Sequence, residues 1–426
     1  MRNKMKKTGE FIQKKCQADD YVLRISRNKK LHTRFAQNAI TQHIDGENLQ
    51  IKLKVAFDNK TGSASVNQTD DDSLKKLINT AEAMAKINKP DPEFVSSEKE
   101  HNLIELEEPA AATTELKVKK IVNDIKNCIE NAKKKEAKLS GISQKKINEV
   151  YLKTKNGFEG YDESATFSHS MTIKKENVET KVSRSVRDYT NFSMKEMIDK
   201  LNEQFYSLQE PRKMDKGRIS VIMRPLAFLS WLYYLMWTFR MREADEGLNP
   251  YTDQIGKQFF GKAFTLCSTT SDSQLSTPRF YGNGIPAKNI DWIKNGVIKN
   301  MQTSRYYARE KGIEPAGIYN FLVEGGDSKE EEMMQKVERG IILNNLWYIR
   351  PVDMKSGEWT GLTRDGVLYF EDGKVRNSVY NFRWNEILHD VTKRILALGP
   401  ALPVEHNAKI PTVLFDNFNF VDVTTF

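Results

Sequence analysis

Cysteine is scarce in this sequence, with 3 among 426 residues. Cys16, Cys128 and Cys267 are far apart and form no C-x-x-C pair, which excludes a disulfide framework and a zinc knuckle of that type. We also expect no secretory leader, because the run MRNKMKKTGEFIQKKCQ is basic and amphipathic without a continuous apolar stretch. We therefore expect a cytoplasmic protein in a reducing compartment.

Membrane-length hydrophobic runs are missing as well. One stretch, RPLAFLSWLYYLMWTFR, is uncharged between Arg224 and Arg240. A helix from Pro225 to Phe239 would span about 22 Å, against about 30 Å of bilayer hydrocarbon, so it is too short to cross a membrane. A strand-like run, Ile219 to Met223, leads into it. We predict a core helix that is covered on all sides because it is apolar on all sides.

Metal-ligand spacing is absent too. A helical zinc site needs two ligands three or four residues apart, because only those positions share a helix face. The predicted core helix has no histidine, cysteine, aspartate or glutamate. We expect no metal and no cofactor, unless ligands assemble from distant residues. No two of the six histidines have the helical spacing: His32, His43, His101, His169, His389 and His406.

No nucleophile motif takes the place of a metal, since the sequence has no G-x-S-x-G elbow, P-loop or clean G-x-G-x-x-G. Cys267 lies in the strand-like run KAFTLCSTTSD, which predicts a buried, inert thiol. His389 lies in the helix-like run NEILHDVTKRILAL and is predicted to be a partnered structural histidine. The residues by themselves predict no catalytic group.

The composition is typical of a globular protein with several cores. Hydrophobic residues make up 39%, charged residues 29%, and the net charge is +9. Lysine runs such as residues 133–135 alternate with glutamate, which favours solvated helix faces over a nucleic-acid surface. We predict three units, at residues 1–105, 106–215 and 216–426, with an acidic, proline-bearing linker from Lys89 to Pro109.

The first unit is predicted to hold an antiparallel meander with turns at Asn28, Asp45-Gly46 and Asn59 to Gly62. Alternate apolar residues from Leu49 to Phe57 place one face of a strand on a core. A helix from about Ser73 to Ile87 should cover that core. The middle unit is an α/β segment.

The middle segment is predicted to open with a lysine-rich helix from about Thr114 to Lys138 and to turn at Asn156-Gly157. Ser193 and Glu196 have capping-box spacing, so a helix should begin at Ser193.

In the last unit, Ser328 and Glu331 predict a capped helix that runs to Gly340. The pairs Asp365-Gly366 and Asp372-Gly373 predict two tight turns that bracket the strand GVLYF. The fold class is therefore α+β, with an N-terminal antiparallel sheet and a C-terminal antiparallel sheet or barrel-like domain around a buried helix.

The chain also resembles a known family along nearly its whole length. The stretches that carry the resemblance are TRFAQNAITQHI, LKVAFDNKTGSASVNQ, NPYTDQIGKQFFGKAFTL, NGIPAKNIDWIKNGVIKNMQTSRYYA and YIRPVDMKSGEWTGLTRDGVLYFEDGKV. They are similar to the TldD/PmbA family, which includes proteins named as modulators of DNA gyrase and is also classed as peptidase U62.

The resemblance implies one of two branches. One branch is similar to zinc metallopeptidases, with an H-E-x-x-x-H motif on the core helix and a cysteine ligand downstream. The PmbA/TldE-like branch lacks the motif and pairs with the first. Here the place of the motif falls within LAFLSWLYYLMW, which has no such residues, and no cysteine follows Cys267. The implied protein is a non-catalytic subunit that dimerises with a metal-bearing paralogue, or with itself, and handles a peptide or unfolded protein substrate.

Four residues form the candidate substrate or interface site: Thr360, Thr363, Arg364 and Asp365. The run TGLTRDG combines a predicted turn with charge between strands, and Arg364 could meet a substrate carboxylate or an interface acid. An alternative interpretation of equal weight is a structural turn in which Arg364 contacts Asp365. Two other functions stay open, a stand-alone hydrolase with an atypical site and a regulatory or nucleic-acid-associated binding protein.

Overall fold

The first feature of the computed structural model, which describes residues 1–424, is a six-stranded antiparallel sheet. The strand order is the third, second, first, fourth, fifth and sixth in the chain, so the meander is joined to the next three strands through the pairing of the first and fourth. The sheet therefore contains strands from both sides of residue 105, where the first predicted unit ends. The division into three units stays a prediction. The strands are β1 (Asp20–Ala36), β2 (Ala39–Phe57), β3 (Lys60–Val66), β4 (Lys138–Thr154), β5 (Glu159–Lys175) and β6 (Val178–Val186).

Two of the predicted turns in the meander are wrong. Asn28 and Gly46 lie inside β1 and β2, which pair from Asp20 to Ala36 with one bulge. The chain reverses at Gln37-Asn38, where φ is 52° and 62° and no turn was predicted, and at Asp58-Asn59, where φ is 49° and 64°, which overlaps the start of the predicted turn at Asn59 to Gly62. Such two-residue hairpin turns need positive φ, which asparagine and aspartate tolerate. The predicted alternation in β2 is confirmed near its C-terminal end, where Ile51, Leu53 and Val55 are buried and the residues between them are exposed.

Helices cover one face of this sheet in two groups. One apolar cluster includes residues of α1 and α2, and a second includes residues of α4 and α5. The predicted helix ending at Ile87 is confirmed, the lysine-rich helix is shorter than predicted, and Ser193 caps the next helix by accepting the Glu196 N–H at 3.2 Å. The helices are α1 (Arg2–Lys15), α2 (Asp71–Ile87), α3 (Ala111–Thr114), α4 (Val118–Lys133) and α5 (Met194–Ser207).

The second half contains a strand ring and a second sheet. Its elements are β7 (Gly217–Met223), α6 (Pro225–Trp237), α7 (Met241–Asp245), β8 (Leu266–Ser268), β9 (Phe280–Tyr281), β10 (Ile285–Pro286), β11 (Ile290–Lys294), β12 (Val297–Ile298), α8 (Arg305–Lys311), β13 (Phe321–Val323), α9 (Glu330–Gln335), β14 (Arg339–Asp353), β15 (Glu358–Glu371), β16 (Lys374–Val379), β17 (Asn381–Ile387), α10 (Leu388–Val391), β18 (Ile395–Leu398), β19 (Leu402–Glu405), β20 (Ala408–Ile410) and β21 (Val413–Thr424).

Five strands pair in a closed circle, which we call the strand ring. β14 pairs with β7, β7 with β21, β21 with β17, β17 with β15, and β15 with β14. The second sheet has the order β12-β11-β8-β13-β20-β19. The α6 helix contacts both, through Phe228 against Phe415 of β21 at 5.7 Å and Tyr233 against Phe321 of β13 at 5.2 Å. The α+β class with a barrel-like C-terminal body around a core helix is confirmed.

Three local predictions in this half need correction. The α9 helix ends at Gln335, and its first turn is capped at Lys329, whose N–H donates to Glu332 at 3.0 Å. Asp365-Gly366 lies within β15 and makes no turn, whereas Asp372-Gly373 does. The run around His389 is strand, four-residue helix and strand, because β17 and β18 pair with neighbouring strands. Every helix within residues 1–424 is too short or too polar to traverse a bilayer.

Candidate functional site

The α6 helix has one open face. Leu226, Ser230, Tyr233 and Trp237 follow each other at steps of four and three residues, so they share one stripe of the helix. Tyr233 is 42% exposed and Trp237 is 50% exposed, whereas Trp231 is fully buried. The core-helix prediction is therefore confirmed for the inner faces, but coverage on all sides is wrong. We call the surface along this stripe the α6 cleft.

The hairpin β19–β20 and the neighbouring strand β13 form one wall of the α6 cleft. The Tyr233 hydroxyl lies against this hairpin, where desolvation raises the pKa of the phenol, Glu405 raises it further, and a hydrogen bond with Asn407 opposes the rise. The hairpin is tied to β6, because His406 Nδ1 lies 3.0 Å from Ser185 Oγ. Burial, with a smaller contribution from Lys146, lowers the pKa of His406 to about 4.

The ribbon β14–β15 forms the other wall and carries exposed aromatic and cationic side chains. Trp237 of α6 lies 5.6 Å from Trp359 of β15, which joins the helix to the ribbon. Trp347 and Tyr348 are 43% and 46% exposed, and their rings lie 5.4 Å apart. Arg364 sits over the Trp347 ring at 4.4 Å, within the range of cation–π attraction. We call Trp347, Tyr348 and Arg364 the ribbon patch.

Tyr348 has an unusual backbone within this patch. Its φ is 56°, a left-handed conformation that bulky residues rarely adopt. The register between β14 and β15 shifts between Trp347 and Arg350, so the bulge places two neighbouring aromatic side chains on the exposed surface. The guanidinium of Arg350 then covers the Tyr348 ring at 3.8 Å.

Two of the four predicted site residues, Arg364 and Asp365, take part in a series of polar contacts near the ribbon patch. Asp365 is 3% exposed, and its Oδ2 accepts a hydrogen bond from Asn345 Nδ2 at 2.8 Å. Asn345 Oδ1 lies 3.5 Å from the hydroxyl of Ser230 on α6, whose shorter hydrogen bond goes to the Leu226 carbonyl at 3.0 Å. Arg364 Nε lies 3.7 Å from Asp365 Oδ1, which is the internal contact considered above, yet the Arg364 side chain stays 42% exposed. Arg364 is thus the exposed member of these polar contacts.

The other two predicted residues hold the strand ring together. Thr360 Oγ1 donates to the Trp384 carbonyl at 2.7 Å. Thr363 Oγ1 donates to Asn381 Oδ1 at 3.2 Å and accepts the Phe382 N–H at 2.9 Å. Both threonines therefore tie β15 to the β17 side of the ring and lie away from Arg364. A binding role for the four residues stays a prediction.

The sequence-based site missed Trp347, Tyr348 and the free edge of β14. β7 pairs with β14 only from Gly340 to Leu343, because the chain then leaves β7 for α6. No other strand within residues 1–424 pairs with β14 between Asn345 and Asp353 on the side away from β15. The signal was the run LWYIRP, where two aromatic residues and an arginine interrupt an apolar strand.

The ligands of a helical zinc site are missing from α6 itself. The α6 helix has no histidine, cysteine, aspartate or glutamate. Throughout the described part of the chain, no three such residues are grouped so that they could hold a metal ion. Cys267 is no substitute, because burial raises the pKa of its thiol to about 11. His389 packs on Phe259 at 4.6 Å, and burial lowers its pKa to about 4. The cleft presents aromatic, cationic and backbone groups through which it can bind a ligand.

Comparisons with known proteins agree with the fold. A family model for PmbA/TldA metallopeptidase domain 1 matches residues 21–85, and one for the PmbA/TldA metallopeptidase C-terminal domain matches residues 216–422. Metalloprotease PmbA of Escherichia coli O157:H7 is 23% identical over 168 residues, which are 38% of this chain and 36% of that protein. The aligned part thus spans little more than a third of this curated relative.

Solved structures match over almost the full length. TldE from Thermococcus kodakarensis has a TM-score of 0.87 at 18% identity, covering 99% of this chain and 99% of that chain. A Thermotoga maritima protein described as a candidate modulator of a DNA gyrase has a TM-score of 0.86 at 17% identity, covering 99% and 100%. At such identities the similarity concerns the fold.

Proposed function

Because this chain belongs to the PmbA/TldD metallopeptidase family, we propose that it is a subunit without a catalytic metal that pairs with a metal-bearing paralogue, or with a second copy, and helps to hold a peptide substrate. The observation that carries the proposal is the composition of α6. The resemblance places the zinc motif of the family on this helix, yet its open stripe presents Leu226, Ser230, Tyr233 and Trp237.

The residues of this chain do not fit the metal that the family description implies. Zinc in a hydrolytic site takes three protein ligands from histidine, cysteine or carboxylate side chains and keeps one position open for water. The α6 stripe supplies none of these side chains. The role left to this chain in proteolysis is to bind and orient, while a partner supplies the hydrolytic chemistry.

The free edge of β14 supports a role in holding an extended peptide. An unpaired strand edge offers backbone N–H and C=O groups, and a peptide can add to it as a further strand. The edge from Asn345 to Asp353 begins beside α6, where Asn345 Oδ1 lies 3.5 Å from the Ser230 hydroxyl. A peptide added there would run along the ribbon patch, next to Trp347 and Tyr348.

The ribbon patch also supports pairing with another subunit. Tryptophan, tyrosine and arginine are the residue types that dominate binding energy at protein interfaces. Trp347, Tyr348 and Arg364 are each more than 40% exposed on one surface, and Trp237 is exposed at the neighbouring end of α6. An interface centred here would join the α6 cleft of this chain to the partner.

The decisive experiment co-expresses this chain with an H-E-x-x-x-H paralogue from the same genome. The proposal expects the two chains to co-purify and the pair to cleave an unfolded peptide, whereas this chain alone neither cleaves nor carries stoichiometric zinc. Lack of both association and gain of activity would remove the proposal. Zinc at one equivalent in the isolated chain, together with peptide turnover, would establish the stand-alone hydrolase instead.

Matched variants locate the interface. Trp347→Ala is expected to weaken association at least tenfold, since loss of an interface hot spot costs about 2 kcal/mol or more. Ile87→Ala is the control, because Ile87 is an apolar residue that is 84% exposed on α2, outside the ribbon patch. Equal association of both variants with the paralogue would show that the ribbon patch is not the interface.

Nucleic-acid binding is a second candidate function, because basic residues line a cavity at the surface of the chain. One end of the strand ring opens into a cavity of about 400 Å³. Phosphate-driven binding would weaken steeply between 50 and 200 mM salt, by about a thousandfold for six contacts. Binding of a DNA duplex that is flat across this range, or absent near physiological salt, would exclude this function. The cationic lining residues of the cavity are Arg212, Lys213, Lys216, Arg218 and Arg339.

A further inference from the structure

A second cavity lies where α6 begins, between the first sheet and the C-terminal body. Its volume is about 210 Å³, and β6, α5, the start of α6 and β19 contribute its walls. Glu196 is the one acidic residue among its lining residues, against four cationic ones. We call it the basic cavity, and its cationic residues are Lys181, Arg184, Lys200 and Arg224.

Arg224 is the one cation of the basic cavity that has a full partner. Its Nε and Nη2 donate to the two carboxylate oxygens of Glu330 at 2.9 and 2.8 Å. This bidentate pair fixes the guanidinium and neutralises its charge. The remaining three cations are therefore the ones that give the cavity its net positive charge.

Arg184 has a donor that no protein group satisfies. Its Nη1 lies 3.5 Å from Glu196 Oε2, but the Glu196 side chain is 71% exposed, so this pair is weak. Its Nε is buried and finds no hydrogen-bond acceptor among residues 1–424. The Nε is closed to solvent, so a ligand in the cavity would meet the other N–H groups of the guanidinium, whose side chain is 28% exposed. The site thus fits an oxygen anion at Arg184.

Lys200 lies beside Arg184 at the rim of the basic cavity. No carboxylate in the described part of the chain lies within ion-pair distance of its amine. Desolvation and repulsion from Arg224 lower the pKa of Lys200, and the carboxylates of Glu330 and Glu203 offset only part of this, although the residue as a whole is exposed. An anion held between Lys200 and Arg184 would relieve this repulsion.

The opposite side of the basic cavity is apolar. The amide groups of Gln204 and Asn344 at its base bond to each other and to Thr180, so they offer little to a ligand. The apolar lining suits an aliphatic group beside the anion and disfavours a bare phosphate. It is made by Val182, Met197, Leu226, Leu402, Pro403 and Val404.

We propose that the basic cavity binds the C-terminal residue of a peptide, with the carboxylate on Arg184 and Lys200 and an aliphatic side chain on the apolar lining. This inference rests on the proposed function, because it identifies which end of the substrate this subunit holds. The cavity volume of about 210 Å³ is many times the roughly 10–15 Å³ that one water needs by the same measure, so the cavity has room for one residue. Leu226 lines the cavity and also begins the open stripe of α6, so the rest of the peptide can continue into the α6 cleft.

The test measures fluorescence anisotropy of an N-terminally labelled hexapeptide ending in leucine, titrated with the full chain. The free-carboxylate peptide is expected to bind at least tenfold more tightly than its C-terminal carboxamide, since a charged hydrogen bond contributes about 1.5–3 kcal/mol. Equal affinity of the two peptides would overturn the inference. Unlabelled free leucine is the second arm, and competition at the same concentration as the unlabelled peptide would overturn a peptide ligand in favour of a free amino acid.

Variants assign the carboxylate to its residues. Arg184→Gln and Lys200→Gln should each weaken binding of the free-carboxylate peptide about tenfold and leave the carboxamide peptide unchanged. Lys195→Gln is the matched control, because Lys195 lies on α5 with Lys200 but outside the basic cavity. Equal loss with Lys195→Gln would show a general charge effect and overturn the assignment.

The outcome separates this inference from the proposed function. If the chain co-purifies with an active paralogue but shows no carboxylate preference, the proposed function stands and the inference fails. If the isolated chain prefers the free carboxylate but never associates, the C-terminal site stands and the subunit role fails.

Discussion

His406 is predicted to make the wall of the α6 cleft sensitive to acid. The half-buried imidazole lies in the turn of the β19–β20 hairpin against Ser185, and its pKa falls from 6.5 to about 4. The folded state therefore holds the neutral ring. The stability that this gives is complete above pH 6.5 and is lost as the pH falls from 6.5 towards 4, because the unfolded chain binds the proton first.

The size of the effect follows from the shift. One pKa unit corresponds to about 1.4 kcal/mol, so lowering the pH from 7 to 5 should cost about 2 kcal/mol through this group. Burial raises the pKa of Glu405, which acts in the opposite sense because the fold then favours a protonated carboxyl. Only the difference between the wild type and a His406 variant isolates the histidine.

The assay is urea unfolding at pH 7 and pH 5 at one ionic strength, for the wild type, His406→Gln and His43→Gln. Glutamine keeps a hydrogen-bonding side chain beside Ser185, and His43 is an exposed residue on β2. The wild type and His43→Gln should lose about 2 kcal/mol more between the two pH values than His406→Gln does. An equal loss in all three proteins would refute the reasoning.

Three further predictions concern other parts of the molecule. Gly361→Ala should destabilise the ring by about 1–3 kcal/mol in urea unfolding, since a Cβ there would lie 2.7 Å from the buried Trp384 ring; Gly46→Ala, whose Cβ has no atom nearer than 3.8 Å, should change stability by about 0.5 kcal/mol or less. Glu330→Gln should cost about 2 kcal/mol by leaving the half-buried Arg224 without its carboxylate, whereas Lys133→Gln, at an exposed pair, should cost about 0.5 kcal/mol or less; similar losses would contradict this. A chelator should leave the melting temperature of the isolated chain unchanged, because α6 has no metal ligands, and a fall in melting temperature would reveal a metal that the chain binds elsewhere.

The elements that the sequence predicted well are those with a strong local signal. The α6 helix is bounded by Pro225 and uniformly apolar, and α5 has a serine cap whose geometry is satisfied within four residues. The hairpin at Asn156-Gly157 is likewise local. Such features depend on neighbouring residues alone, so periodicity and capping suffice to place them.

The errors lie where distant strands decide the structure. Asp45-Gly46 looks like a turn, but Lys30 pairs with Gly46 and the strand continues. Asp365-Gly366 has turn-like φ values of 62° and 93°, yet β14 lies alongside and makes it a bulge. The open stripe of α6 could not be predicted from its composition, because exposure depends on which neighbours leave a face uncovered. The basic cavity was missed because its residues come from five separate elements, β6, α5, α6, β14 and β19.

The order in which the strands are synthesised has a consequence for when each body can form. β1 pairs with β4, and Val22 of β1 lies opposite Thr154 of β4. The first sheet therefore cannot be completed until more than a hundred residues after Val22 have emerged from the ribosome. The ring is later still, because β7 must wait for β21. During that interval β7 and the apolar α6 lack their neighbours, and such exposed segments attract chaperones or other nascent chains. Slowing translation after α6 should therefore increase aggregation more than slowing it after β6.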